Sequence, residues 1–174
     1  MTDSVRVGIV LGSDSDLETM LETVKVLEAL GIGHEVVVAS AHRTPRRTEE
    51  WASGAAGRGL RVLIAAAGGA AALPGVVAAF SSLPVIGVPI AATSLNGLDA
   101  LLSIVQMPKG VPVATVAVGA WGAANAAILA AQILAVADPA LAERLAAYRA
   151  RLADEVEERA RRVADKLRTR GGAG

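Results

Sequence analysis

The 174-residue sequence contains no cysteine, only two histidines, few aromatic residues and no excess of either charge. The lack of cysteine excludes a disulfide scaffold, and two histidines without cysteine make a zinc site unexpected. The 17 basic residues balance the 17 acidic ones, whereas nucleic-acid-binding domains usually carry a basic excess. Apolar residues make up 53% of the chain, which is too many for a disordered protein. The composition is that of one globular domain.

Charged side chains are nearly absent from the middle of the chain. Between Ile64 and Ala137 the only charged residues are Asp99 and Lys109, whereas the 37 residues that follow carry 16 charges. Because a small domain exposes much of its surface to water, this segment needs a cover of lipid or of other subunits. Its uncharged end is long enough to span a bilayer, but proline and polar residues interrupt it. Alanine- and glycine-rich surfaces without charge are typical of obligate interfaces, so we expect a homo-oligomer and no membrane span.

The first residues do not show a basic region followed by a long apolar run, which is the pattern of a secretory signal. The absence of cysteine also fits a reducing compartment. These two observations predict a cytoplasmic protein.

Apolar runs of strand length alternate with helical spacing, which predicts an α/β fold: a three-layer sandwich with a central parallel sheet. One domain is expected over residues 1–174, with its core at about 5–137 and a long C-terminal amphipathic helix at about 139–168. Strands are predicted at Val5–Leu11, Glu35–Ala39, Leu60–Ala66, Pro84–Val88 and Val113–Val118. Helices are predicted from a cap at Asp14 or Ser15 to Gly31, from Pro45 to about Gly57–Gly59, at Pro74–Phe80, at Asp99–Val105 and from about Gly122.

Ligands of such sheets bind at the carboxyl ends of the strands, so the loops after the first three strands are candidate binding loops. The first loop, Gly12–Asp16, combines two serine hydroxyls with a helix start and can hold a phosphate or a ribose. Simple helix capping is the alternative.

The third loop contains Gly68 and Gly69, which allow a ligand to approach the backbone. Tight packing of helix on sheet is the alternative there.

The second loop, Ser40–Pro45, has the residues best suited to catalysis. His42 can transfer protons near neutral pH, and the neighbouring Arg43 can bind a phosphate or carboxylate. The alternative is an exposed histidine beside a surface arginine. His34 is expected at the opposite end of the sheet, in a structural or exposed position. One histidine beside an anion-binding arginine suggests proton transfer on a phosphorylated small molecule.

Five collinear segments resemble the class I 5-(carboxyamino)imidazole ribonucleotide mutases of purine biosynthesis. They are GSDSD (Gly12–Asp16), SAHRTP (Ser40–Pro45), AGGAA with LPG (Ala67–Gly75), SIVQMP (Ser103–Pro108) and GAANAAILAAQIL (Gly122–Leu134). The resemblance implies a flavodoxin-like fold, a homo-octamer, and an enzyme without metal or organic cofactor. This family moves a carboxylate from the exocyclic nitrogen of an aminoimidazole ribonucleotide to ring carbon C4. It does so by decarboxylation, retention of carbon dioxide, attack by the ring carbon and loss of the C4 proton.

The resemblance also implies roles for individual residues. His42 would be the general acid/base, and Gln106, Met107 and Pro108 would approach the site of a neighbouring subunit. A second active-site histidine of the family is replaced by Ala72, which leaves two alternatives. The chain is a mutase, with an activity that Ala72 reduces, or it is a diverged relative that binds a related ribonucleotide or acts as a lyase or carboxylase on another heterocycle. The expected substrate-binding residues are Ser13, Ser15, Asp16, Ser40, Ala41, Arg43, Gly68, Gly69, Ala72 and Leu73.

Overall fold

A computed structural model describes residues 5–171 of the chain, with side chains to residue 168. Within these residues, five parallel strands form one sheet in the order β2-β1-β3-β4-β5. This is the flavodoxin-like strand order, so the α/β fold expected from the sequence is confirmed. The strands are β1 (Val5–Leu11), β2 (Gly33–Val38), β3 (Val62–Gly68), β4 (Val85–Ile90) and β5 (Ala114–Thr115).

Helices connect the strands and cover both faces of the sheet. The predicted C-terminal amphipathic helix is present as α6, and none of the helices in residues 5–171 has the length and apolar character needed to cross a membrane. Short 3-10 turns lie at Asp14–Asp16 and Ala56–Arg58. The α-helices are α1 (Leu17–Ala29), α2 (Pro45–Ser53), α3 (Leu73–Phe80), α4 (Leu98–Val105), α5 (Ala120–Ala135) and α6 (Pro139–Gly171).

The fifth strand is much shorter than the predicted Val113–Val118. Only Ala114 and Thr115 pair with β4, opposite Ile86 and Gly87. Pro89 explains why the ladder stops, because it has no N–H group to donate to a longer β5. Its carbonyl oxygen accepts a hydrogen bond from the backbone of Gly119 at 2.9 Å, which shows that this residue faces the β5 side.

Several other boundaries differ by a few residues from the prediction. Strands β3 and β4 end two residues later than expected, at Gly68 and Ile90, so the loops that follow them also start later. Helix α2 ends at Ser53 rather than near Gly57–Gly59. Gly54 follows it directly, and the poor helix propensity of this glycine-containing stretch leaves only a 3-10 turn before β3.

Alternate residues of β1 enter two hydrophobic cores, one on each face of the sheet. Val7, Ile9 and Leu11 are buried in a core formed with α1, α5 and the start of α6. Val10 is buried in a second core, to which α2, α3 and α4 contribute. The sheet is therefore covered on both faces by the same chain.

Helix α5 accounts for part of the alanine excess. Its residues Ala123, Ala126, Ala127, Ala130 and Ala131 are fully buried. The Thr23 hydroxyl of α1 donates a hydrogen bond of 2.7 Å to the Ala123 carbonyl oxygen, which joins the two helices directly. Side chains this small allow the helix axes to approach closely, so these alanines serve packing inside one subunit.

Helix α6 packs on the body only at its beginning. Leu141 and Leu145 are buried, and the Arg144 guanidinium donates a hydrogen bond of 2.9 Å to the Leu30 carbonyl oxygen. Farther along, the predicted apolar stripe is exposed, with Val156 60% and Leu167 64% accessible. The second half of α6 thus extends past the body of the domain.

Ion pairs at i,i+4 spacing lie along the exposed part of α6. The carboxylates of Glu155 and Glu158 pair with Arg159 and Arg162 at 3.2 and 3.8 Å. The Arg161 guanidinium donates a hydrogen bond of 3.4 Å to the Glu157 backbone carbonyl oxygen. Such exposed pairs each contribute little to stability.

Candidate active site

A cavity of about 340 Å³ opens at the carboxyl ends of the first four strands. It lies where β1 and β3 are neighbours in the sheet. After β1 the chain crosses to β2 on one side, and after β3 it crosses to β4 on the other side. Open parallel sheets bind their ligands at such a switch point. The lining residues are Gly12, Ser13, Ser15, Asp16, Ser40, Ala41, His42, Arg43, Ala67, Gly68, Ala71, Ala72, Leu73 and Ala92.

The three loops chosen from the sequence therefore converge on one cavity. Of the residues expected on the same subunit, all except Gly69 line it. Gly69 is the next residue along the turn and has a φ of 63°, which favours glycine. Gln106, Met107 and Pro108 do not line this cavity. Met107 instead lies beside Gly75, where an added Cβ would be 2.8 Å from its sulfur atom.

Ala92 is a lining residue that the sequence reasoning missed. It follows β4, whose loop was not among the three expected to carry the site. The strand order could have indicated Ala92, because β4 is the neighbour of β3 and ends at the same edge of the sheet. A single methyl group offers no chemistry of its own and gives no motif to recognise.

The first loop is organised around Ser13. The Ser13 hydroxyl accepts a hydrogen bond from the Ser15 amide at 3.4 Å, and the Ser13 amide donates to the Asp16 carboxylate at 3.2 Å. Ser13 is thus the N-cap of the 3-10 turn Asp14–Asp16 that leads into α1, and the caps predicted at Asp14 or Ser15 are wrong. The capping box forms because Asp16 follows three residues after the serine. It fixes both serine hydroxyls beside the cavity, 2.9 Å from each other.

Asp16 is nearly buried, with 5% of its surface accessible. Burial raises the pKa of its carboxyl above the ordinary value, an effect that the Asp14 charge reinforces slightly. Hydrogen bonds from the Ser13 amide and the Ser15 hydroxyl act in the opposite direction and lower the pKa. Asp16 is therefore a shielded, pre-oriented acceptor in the cavity wall.

The second loop is held by hydrogen bonds between its two ends. The Thr44 hydroxyl accepts from the Ser40 amide at 2.9 Å, and the Ser40 hydroxyl accepts from the Arg43 amide at 3.2 Å. This leaves the side chains of His42 and Arg43 exposed at the cavity. The Arg43 guanidinium lies 3.5 Å from the Gly12 carbonyl oxygen, so the first two loops are in contact.

The third loop brings the backbone close to the cavity. The Gly12 amide donates a hydrogen bond of 3.1 Å to the Ala66 carbonyl oxygen, which ties the first loop to the end of β3. Ala72 is half-buried in the cavity wall and immediately precedes α3. A side chain larger than methyl at this position would therefore face the cavity.

A second cavity of about 350 Å³ adjoins the first and shares Gly12, Ser13, Ser40 and Arg43 with it. Its further lining residues include Asp14 and Arg47. Two guanidinium groups and one carboxylate thus border this space. Arginine forks are suited to the oxygens of a phosphate group, so the pair of cavities can hold a ligand with an anionic end.

His34 lies at the amino end of β2, opposite Val7, and therefore away from the cavity as expected. Its Nδ1 atom is 3.2 Å from the Ile32 carbonyl oxygen. No group of three or more histidine, cysteine or acidic side chains suited to a metal ion occurs within residues 5–171. At the cavity itself, His42 is the lining side chain suited to moving a proton near neutral pH.

A comparison with known families shows that residues 6–155 match the AIR carboxylase model. The chain belongs to this family. N5-carboxyaminoimidazole ribonucleotide mutases are among its similar relatives. The protein of that name from Thermotoga maritima is 54% identical over 158 residues, which cover 91% of each chain. The one from Mycobacterium tuberculosis is 54% identical over 165 residues, 93% of this chain and 94% of the other.

Two solved structures share the fold. The crystal structure of Treponema denticola PurE superposes with a TM-score of 0.78 at 30% identity, over 87% of this chain and 94% of that chain. The crystal structure of a single-residue variant of Treponema denticola PurE2 gives a TM-score of 0.80 at 28% identity, over 87% and 93%. The resemblance seen in the five sequence segments is thereby confirmed at the level of the family.

Proposed function

We propose that this AIR carboxylase family member is an N5-carboxyaminoimidazole ribonucleotide mutase of purine biosynthesis. Its reaction moves the carboxylate of the substrate from the exocyclic nitrogen to ring carbon C4. The observation that carries the proposal is the convergence of His42, Arg43 and the Ser13–Asp16 turn on one cavity, in a chain 54% identical to proteins of that name.

The substrate binds through its polar ends. Arg43 borders both cavities and is placed to bind the phosphate, because a guanidinium can donate two parallel hydrogen bonds to phosphate oxygens. Asp16 and the hydroxyls of Ser13 and Ser15 bind the ribose side, where a buried carboxylate is a strong acceptor for sugar hydroxyls. With the phosphate and the ribose bound in this way, the aminoimidazole ring points toward His42 and the turn at Gly68.

His42 transfers one proton in each direction. As an imidazolium it protonates the exocyclic nitrogen while the N–C bond breaks and carbon dioxide leaves. The ring carbon C4 then attacks the retained carbon dioxide and forms the new C–C bond. The neutral imidazole removes the C4 proton, which restores the aromatic ring and the starting charge of His42. Proton balance therefore needs no group other than this histidine.

Ala72 is the main departure from the family pattern. In place of the second histidine it supplies a methyl group, which cannot donate a hydrogen bond to a carboxylate. Losing one positioned donor of this kind costs about 10²–10³ in rate. We therefore expect a mutase that works below the rate a histidine would allow. The diverged-relative alternative has Ala72 alone in its favour, whereas the similar relatives carry the mutase name.

We further propose a cytoplasmic homo-octamer in which Gln106, Met107 and Pro108 border the site of a neighbouring subunit. Support comes from the large apolar side chains that one subunit leaves exposed in the uncharged segment. Trp121 is 83% accessible, which is unusual for a tryptophan unless a partner covers it. The others in this segment are Phe80, Leu95, Leu98, Leu102, Val105 and Val136.

The proposal is tested by turnover of N5-carboxyaminoimidazole ribonucleotide, followed by the absorbance of the C4-carboxylated product. His42→Asn removes the proton-transfer group, so kcat should fall about 10²–10⁴-fold. His34→Asn is the matched control, because His34 lies at the other end of the sheet. It should keep its rate within about twofold, as expected for a substitution away from the site. Absence of turnover in the wild type, or equal losses in both variants, would contradict the proposal.

A further inference from the structure

The loop between β4 and α4, residues 91–97, forms one wall of the main cavity through Ala92. It packs on the glycine turn of the third loop. A Cβ added to Gly68 would lie 2.5 Å from the Ala92 Cβ, so this close contact requires glycine at position 68. Beside it, a Cβ at Gly69 would be 3.8 Å from the Thr93 methyl group. The position of the loop therefore sets the shape of the cavity wall.

Thr93 ties this loop to the start of α4. Its hydroxyl donates a hydrogen bond of 2.7 Å to Oδ2 of Asp99 and accepts one of 3.1 Å from the Leu95 amide. Between these residues the chain passes through two left-handed conformations, Asn96 with a φ of 52° and Gly97 with a φ of 85°. A left-handed asparagine persists only where surrounding contacts hold it. The Thr93–Asp99 bond closes the base of this strained turn.

Asp99 is the single acidic residue between Ile64 and Ala137. Its Oδ1 atom is shielded from solvent and makes no hydrogen bond of standard geometry within residues 5–171. The bond from the Thr93 hydroxyl to Oδ2 is therefore the main side-chain contact that holds this carboxylate. The Thr93 hydroxyl is also the main cause that holds the pKa of Asp99 below its usual value.

We propose that Asp99, acting through Thr93, is a positioning residue of the active site that fixes Ala92 against Gly68 and so shapes the wall that receives the substrate. Neither Asp99 nor Thr93 lines the cavity. The inference rests on the proposed function for its substrate. Because the wall contributes contacts that substrate and transition state share, loosening it should raise KM and leave kcat nearly unchanged.

The test compares three single variants in the same loop. Thr93→Val keeps the shape of the side chain and removes both hydrogen bonds, Thr93→Ser keeps the hydroxyl, and Ser94→Ala removes a neighbouring exposed hydroxyl. Loss of a hydrogen bond to a charged group is expected to raise KM about tenfold in Thr93→Val. The amides of residues 91–97 should also exchange hydrogen faster. Thr93→Ser and Ser94→Ala should match the wild type in both measurements.

Unchanged KM and exchange in Thr93→Val would overturn the inference, as would equal changes in Ser94→Ala. If Thr93→Val does not fold, the variant Asp99→Asn takes its place in the test. The asparagine amide oxygen can still accept a hydrogen bond from the Thr93 hydroxyl, but this bond is neutral and therefore weaker. Asp99→Asn should raise KM about two- to threefold. If the wild type shows no turnover, the proposed function fails separately. The dissociation constant of aminoimidazole ribonucleotide then takes the place of KM, and the same order of variants is required.

Discussion

Gly68→Ala tests the contact between the third loop and the β4–α4 loop. The added methyl would lie 2.5 Å from the Ala92 Cβ and 3.2 Å from the Ile90 carbonyl oxygen. Carbon atoms in contact stay about 3.5–4.0 Å apart, so the loop must move outward by about 1 Å or more. Overpacking of this kind costs about 1–3 kcal/mol. For a chain of this length each kcal/mol lowers Tm by about 2–4 °C.

Thermal unfolding, monitored by circular dichroism, measures the loss of stability, and KM measures the effect of the displaced cavity wall on substrate binding. The double variant Gly68→Ala/Ala92→Gly transfers the methyl from one side of the contact to the other. It should recover most of the lost Tm and KM, because the two positions interact directly. Ala70→Gly is a control in the same loop, at an exposed residue that does not line the cavity. A stable Gly68→Ala variant with wild-type KM, or a double variant no better than the single one, would refute this description of the wall.

Three further predictions concern the site and its surroundings. Ala72→His supplies the missing hydrogen-bond donor at the cavity wall and should raise kcat about 10²-fold or more, whereas no gain would favour a diverged substrate. Arg47→Gln should raise KM about three- to tenfold, as expected for a lost charge-assisted contact to phosphate, whereas Arg46→Gln removes the same charge outside both cavities and should not. Native mass spectrometry should give eight subunits for the wild type, and Trp121→Lys should shift the mass toward smaller assemblies, since a charge at a covered apolar site is unfavourable. A wild-type monomer would contradict the assembly.

Much of the fold followed from local pattern. Val5–Leu11 was predicted with its observed bounds, because an apolar run rich in valine and isoleucine, interrupted only by Arg6, identifies a central strand. The extent of β5 was not predictable from its own residues. It depends on Pro89, a residue of another strand that lacks the required N–H group. The hydrophobic periodicity of one segment does not show how far that segment pairs with a distant one.

The candidate site was predictable where chemistry and loop position coincide. His42, Arg43 and Asp16 combine a reactive side chain with the carboxyl end of a strand, and all three line the cavity. Ala92 and the Thr93–Asp99 bond were not found, since neither carries a motif and the place of Ala92 in the cavity wall depends on how β4 lies beside β3. The cap was predicted at Asp14 or Ser15 instead of Ser13, because all three residues are good caps by residue type.

The apolar stripe of α6 shows a further limit of the sequence pattern. Its spacing predicts one buried face, and Leu141 and Leu145 are indeed buried. The same spacing continues to Leu167, where the helix has already left the body and the face is exposed. Periodicity shows that a face is apolar, but it does not identify the surface that covers it.

The central claim is that the carboxylate moves within one cavity, from the exocyclic nitrogen to C4 of the same substrate. Substrate labelled with ¹³C in its carboxylate, turned over in unlabelled bicarbonate, tests this claim most directly by mass spectrometry of the product. Retention of the label at C4 is predicted, because the carbon dioxide released beside His42 is captured before it escapes. A product whose carboxylate is unlabelled would show a carboxylase that takes carbon dioxide from solution, and would contradict the mutase.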